Sequence, residues 1–163
     1  MLFDASAILN LFRNDESAAL LKGMTIDLAF YEVGNSIRRK VCVEKVLTME
    51  EGISALDSLT QVMTAMGLTQ RANHRTVLET ASEGDLTLYD ASYLCAAEGA
   101  KETLVTDDKR LFDAAKKRMK VLRSSDVPRR DLGSLRGALE FESAAEKAAF
   151  LRDSTSRREE RRS

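Results

Sequence analysis

Short apolar runs alternate along this chain with longer helical stretches, and several of the runs end on an acid. Leu2-Phe3 meets Asp4, and Leu104-Val105-Thr106 meets Asp107-Asp108. Runs this short are too brief for helices, and their apolar and β-branched residues suit buried strands. Strands alternating with helices predict a parallel sheet covered on both faces. The expected architecture is a three-layer α/β/α sandwich with a short-stranded central sheet. In such sheets ligands gather at the carboxyl ends of the strands. The acids therefore stand where chemistry is expected.

The first strand is expected to end near Asp4 or Ala5, and a second to cover Thr25 to Leu28. Further strands are expected from Leu68, at Thr103 to Thr106 and at Lys120 to Leu122. Between them, helical spacing covers Ala7 to Phe12 and Glu16 to Leu21. Ala29, Val33, Ile37 and Val41 recur every four residues as one face of a helix with a basic end. Thr48 to Ala65 is the longest helical segment, with a capping box at Thr48 and Glu51 and a stripe of Ile53, Leu56, Leu59 and Met63. Arg75 to Ser82 has Gly84 as its stop signal, Leu88 to Glu98 has Gly99, and Asp108 to Arg118 closes the helical series.

At 163 residues the chain is one domain of ordinary size plus a tail. Residues 1–123 carry the alternating pattern. Residues 124–163 read as an extension with one amphipathic helix through Leu132, Leu135 and Leu139, and a disordered end without apolar residues. The longest charge-free stretch, Ser58 to Gln70, is too short for a membrane span, which needs about 20 mostly apolar residues. The acid at position 4 and the lack of a basic leading segment argue against a secretory signal. With two distant cysteines, Cys42 and Cys95, no disulfide framework is implied, and the expected compartment is reducing cytosol.

The single His, His74, excludes HExxH proteases and three-histidine zinc sites. Neither phosphate-cradling glycine motif occurs, nor does a GxSxG elbow. Net charge is −1, so a strongly basic nucleic-acid surface is not announced, although local patches are compatible with it. Carboxylates are the chemical tools that remain.

Asp4, Asp90 and the pair Asp107-Asp108 fall where strands hand over to helices or helices begin, and Glu32 lies in the first turns of the helix after the second strand. Convergence would place like charges together, each raising the other's pKa, and a divalent cation would relieve them. Carboxylates without His or Cys select hard ions, Mg²⁺ or Mn²⁺. Such ions activate water and polarise phosphoryl oxygens, which suits phosphodiester hydrolysis. Each acid also has a plain alternative: Asp90, Asp107 and Asp108 fit helix caps, Glu32 fits an exposed helix position, and Asp4 or Ser6 could cap the first helix. Asp4, ending a buried strand, most needs partners.

Four segments, Leu2–Phe12, Leu28–Ile37, Leu86–Ala100 and Leu104–Ala115, in this order and spacing, resemble PIN-domain ribonucleases, most closely the VapC-type toxins of prokaryotic toxin–antitoxin pairs. The resemblance spans residues 1–123. It implies a Mg²⁺- or Mn²⁺-dependent endoribonuclease acting on single-stranded RNA, with a VapB-type antitoxin and a second copy of the chain as partners. It implies Asp4, Glu32 and Asp90 as the first three acids, with Asp4 and Asp90 as principal metal ligands. The Thr-x-Asp pattern makes Asp108 the fourth, and adjacent Asp107 could share or replace it. Ser6, Thr106 and Asn35 would line or orient the site. The same fold in RNA processing, without an antitoxin, and an inactive partner-binding scaffold are the alternatives.

Lys109 and Arg110 are the cations nearest the expected site and the best candidates for RNA phosphates. Arg38-Arg39-Lys40 and Lys116-Lys117-Arg118 could also contact RNA phosphates, but read first as solvated helix faces. Tyr89 and Tyr93 are expected to pack in a core or interface more than to stack on a base. Cys42, Cys95, Met63 and Met66 are expected in the core, and His74 at or near the surface without catalytic duty.

Overall fold

The computed structural model describes residues 1–128, so the expected tail helix and disordered end lie outside the described residues. The elements are β1 (Leu2–Phe3), α1 (Ala5–Arg13), a 3₁₀ turn Ser17–Lys22, β2 (Met24–Thr25), α2 (Leu28–Cys42), α3 (Met49–Ala65), β3 (Gly67–Leu68), α4 (His74–Gly84), α5 (Leu88–Ala100), β4 (Leu104–Val105), α6 (Lys109–Ala115), β5 (Val121–Leu122) and a 3₁₀ turn Ser124–Asp126. The five strands form one all-parallel sheet in the order β3-β2-β1-β4-β5. Helices cover it in two groups. α1 packs on α2, and α2 on α3; α5 packs on α4 and α6 and against β1 and β4. The result is the expected three-layer α/β/α sandwich.

Each strand is only two residues long because the chain turns at once into a capped helix or loop. Leu2, Phe3, Leu104 and Val105 are fully buried, as central strands covered on both faces require. Gly23 is dictated by packing: a Cβ there would lie 2.2 Å from the Phe3 ring. Phe3 pairs in register with Val105, so the next residues, Asp4 and Thr106, emerge side by side. From β1 the chain winds outward to β2 and β3, then crosses to β4 and β5 on the other side. The gap between β1 and β4 is therefore the switch point where parallel sheets open a crevice.

Most helices form where periodicity puts them, and the differences have physical causes. The apolar run after Met24 continues into α2, so Leu28 opens a helix instead of ending a strand. The stretch after Glu16 is a 3₁₀ turn, not an α-helix, and α6 stops at Ala115. Helices α4 and α5 run through their expected glycine stops. Asp85 (φ 48°) and Lys101 (φ 56°) take the left-handed position instead, each donating its N–H back to the preceding turn. The buried face of α3 is Gly52, Leu59, Val62 and Met63, while Ile53 is 53% exposed. Val41 of α2 seats against Gly52, where a Cβ would lie 2.5 Å from its Cγ2, and this close approach turns Ile53 outward. Cys42 is exposed, contrary to the core position expected of it, because it ends α2 beyond the packed face; Cys95 is buried. Met63 and Met66 are buried, and His74 is exposed.

The capping box forms as read: the Thr48 hydroxyl accepts from the Glu51 N–H at 3.2 Å, and the Glu51 carboxylate accepts from the Thr48 N–H at 2.8 Å. Thr48→Ala should cost about 1 kcal/mol, lowering the melting temperature by about 3 °C; an unchanged calorimetric midpoint would contradict this. Among the described residues no helix is long and apolar enough to cross a membrane.

Candidate active site

Asp4 follows β1 as the N-cap of α1, accepting the Ala7 N–H at 2.8 Å. The plain capping role is thus real, but it uses only part of the carboxylate. The Ser6 hydroxyl also donates to Asp4, 2.8 and 2.9 Å from its two oxygens. The Thr106 hydroxyl donates at 2.5 Å from the end of β4. Both hydroxyls are aimed by the backbone of the next two residues: Ser6 Oγ accepts the N–H groups of Asp107 and Asp108, and Thr106 Oγ1 accepts that of Asp108. With their lone pairs engaged, they present hydrogens to Asp4.

Asp4 is 4% exposed. Burial pushes its carboxyl up to about 6, against the hydrogen bonds from Thr106, Ala7 and Ser6, and the nearby Asp107 charge adds to the rise. The groups acting on it are hydroxyls, an amide and another carboxylate, with no cation among them. Thr106→Val keeps the shape and deletes the hydroxyl. It should push the Asp4 pKa above 6 and destabilise the fold by about 1–3 kcal/mol. A carboxyl carbon titration of Asp4 by NMR identical to that of the parent would contradict this reading.

Glu32 lies half-buried on α2, and the Tyr93 hydroxyl donates to its Oε2 at 2.6 Å. Burial raises the Glu32 pKa, the Tyr93 hydrogen bond opposes that rise, and the Asp90 charge adds to it. Tyr93, buried on α5, is raised by its own burial and then by Glu32 and Asp4. Electrostatic neighbours therefore run in a chain: Asp107, Asp4, Tyr93, Glu32, Asp90. The sequence predicts core or interface packing for Tyr93 ahead of base stacking; its partnership with Glu32 depends on how α2 meets α5, which no local spacing encodes.

Asp90 does not cap α5. Thr87 does, accepting the Asp90 N–H at 3.1 Å, while its hydroxyl donates to the Asp90 carboxylate at 2.7 Å. The two adjacent acids after β4 have different duties. Asp108 caps α6, accepting the Leu111 N–H at 2.8 Å. Asp107 ties loops together, accepting from Asn10 Nδ2 at 2.7 Å and from the Ser124 N–H at 3.0 Å. Asp107 is the one whose charge reaches Asp4.

Asn35 is exposed one turn beyond Glu32; the donors to the Asp4 and Glu32 carboxylates are Ser6, Ala7, Thr106 and Tyr93. Lys109 pairs with Asp113 at 2.8 Å, and Arg110 with Asp85 at 2.9 Å, so both substrate candidates are engaged in ion pairs.

Every acid here offers oxygen, the donor type of hard divalent cations, and the raised carboxyls of Asp4 and Glu32 mark a region where positive charge would be favourable. Among the described residues no three His, Cys, Asp or Glu side chains stand together as a ready ligand group. The donor chemistry fits Mg²⁺ or Mn²⁺, with the acids strung out as neighbours and not gathered into a cage.

No protein-family model matches the chain. No curated protein matches it. Among solved structures, it is similar to the crystal structure of PAE2754 from Pyrobaculum aerophilum, with 27% sequence identity, a TM-score of 0.65, and coverage of 76% of this chain and 90% of that one. The α/β/α fold is thus shared with an experimentally solved protein.

Proposed function

We propose that this chain is a PIN-type, Mg²⁺- or Mn²⁺-dependent endoribonuclease, and the toxin of a toxin–antitoxin pair. The observation that carries the reading is Asp4: a buried carboxylate at the sheet's switch point, oriented by two hydroxyls and followed outward by Tyr93, Glu32 and Asp90. An acid so costly to bury is poor structural design, since a neutral residue could fill the place. It suits a site that meets positive charge.

When bound, the cation supplies charge neutralisation at phosphorus-bound oxygen and a lowered pKa for water. Asp4 and Asp90 would hold it, with Asp107 or Asp108 completing the donors. Ser6 and Thr106 keep Asp4 in one rotamer. Tyr93 engages Oε2 of Glu32, which leaves Oε1 to take a proton from the attacking water. The raised Glu32 pKa makes it a better base at neutral pH. The water oxygen bonds to phosphorus as the bond to the leaving oxygen breaks, and solvent protonates the leaving group.

The partners proposed with this reading are RNA, a VapB-type antitoxin and a second copy of the chain. The test is cleavage of tRNA, rRNA fragments and unstructured RNA with Mn²⁺, Mg²⁺ or EDTA, beside Asp4→Asn. Metal-dependent cleavage lost in the variant supports the reading. A clean, folded protein that cuts no RNA would overturn it. That outcome would favour a partner-binding scaffold, the alternative with which the ungathered acids agree.

A further inference from the structure

Two exposed aromatic residues immediately precede two of the acids. Tyr31 comes before Glu32 on α2, and Tyr89 comes before Asp90 on α5; they are 70% and 59% exposed. Both line one cleft of about 340 Å³, together with Leu88, Arg71, His74 and Ser92. Phe30 meets Tyr31 edge to face, with ring centroids 5.6 Å apart and planes at 84°, which restricts the ring that Tyr31 offers. Arg71 pairs with Asp27 through Nε at 3.0 Å and through Nη2, both on the same carboxylate oxygen. A guanidinium carries five N–H donors, so this contact holds Arg71 in place without exhausting it. The cleft thus joins two aromatic faces, on α2 and α5, the helices that also carry Glu32 and Asp90, to the Arg71–Asp27 pair.

We infer that this cleft is a nucleotide subsite for single-stranded RNA, its base stacked on Tyr31 and Tyr89 and its phosphate met by Arg71. The inference rests on the ribonuclease reading and deepens it. Stacking tolerates every base, because each has a π-face. Ile26, Leu28, Ala72, Val77 and Leu88 give the cleft apolar walls against which a base can pack beside the two phenol rings, with few polar groups to orient it, as small-ligand sites have. The Arg71 guanidinium, exposed and paired with Asp27 in the same cleft, offers its remaining N–H donors to a phosphate.

The test is fluorescence binding of a short unstructured RNA containing 2-aminopurine. The protein is the full chain carrying Asp4→Asn, which lowers the negative charge and prevents cleavage, in EDTA. Tyr31→Ala and Tyr89→Ala should each weaken binding about tenfold and reduce 2-aminopurine quenching, while Tyr31→Phe and Tyr89→Phe stay within about twofold. Arg71→Gln should lower the salt slope by about 0.7, the share of one phosphate on a single strand. Alanine variants that are folded by circular dichroism and bind like the parent would overturn the subsite and leave the cleft to a protein partner. Absence of RNA binding would overturn it as well. Cleavage by wild type with tyrosine-independent binding removes the subsite alone. Tyrosine-dependent binding without cleavage by wild type removes the nuclease reading alone.

Discussion

Asp4→Asn is expected to lose metal-dependent cleavage by about 10³-fold, as deletion of a central electrostatic group does, and yet to melt higher than the parent at pH 7 in EDTA. The two effects have one origin. The Asp4 carboxyl titrates near 6 when folded, against 3.8 for the free group. A pKa raised by folding means that ionisation destabilises the fold. The unfavourable contribution is absent below about pH 4, grows as pH rises from there to about 6, and is complete above that. At pH 7 it amounts to about 3 kcal/mol, partly offset in the variant by hydrogen bonds that an amide accepts less well. Melting curves of the metal-free protein should therefore fall between pH 4 and pH 6.5 in the parent and flatten in Asp4→Asn. Glu32, also raised, adds a smaller slope of the same sign that survives in the variant. A variant that is less stable than the parent at pH 7 would show that the hydroxyls of Ser6 and Thr106 compensate the burial fully. Full cleavage activity would remove Asp4 from the site.

Addition of Mn²⁺ or Mg²⁺ at pH 7 should raise the melting temperature of the parent. At a concentration near 100 times the dissociation constant the gain is about 2.7 kcal/mol, roughly 6–8 °C for a domain of this size. Binding competes with protons at Asp4, so the shift should shrink as pH falls through 6. It should be absent with EDTA and small in Asp4→Asn. Calorimetry with both ions up to millimolar concentration, in parent and variant, decides the matter. Equal shifts in the two proteins would place the bound ion elsewhere on the surface.

The positions of β1, β4 and Asp4 were legible because a buried apolar run that stops on an acid is a local signal. The capping box at Thr48 and Glu51 was legible for the same reason, since every group it needs lies within four residues. What was not legible depends on contacts between elements. Tyr93 reads as one more apolar position on α5, and only the approach of α2 brings Glu32 to its hydroxyl. Tyr31 and Tyr89 lie far apart in the chain and share a cleft only once α2 and α5 are placed. Thr87 is an ordinary cap signal, but Asp90 three residues on offers an equally good one, and only the backbone geometry decides between them. Ile53 was misplaced because the Gly52 contact with Val41 rotates α3, and helical periodicity carries no information about that rotation.

Asp4 and Thr106 are 102 residues apart, and their hydrogen bond spans the sheet's midline. Closing so long a loop is entropically costly, and contacts of high sequence separation form slowly. A nascent chain that has not yet emitted β4 has Asp4, Ser6, Glu32 and Asp90 but nothing to aim the Thr106 hydroxyl at the first of them. The site therefore cannot assemble until β4 and the two residues that aim the Thr106 hydroxyl have been made. On the proposed ribonuclease reading, that ordering delays any cleavage until the chain through β4 has left the ribosome.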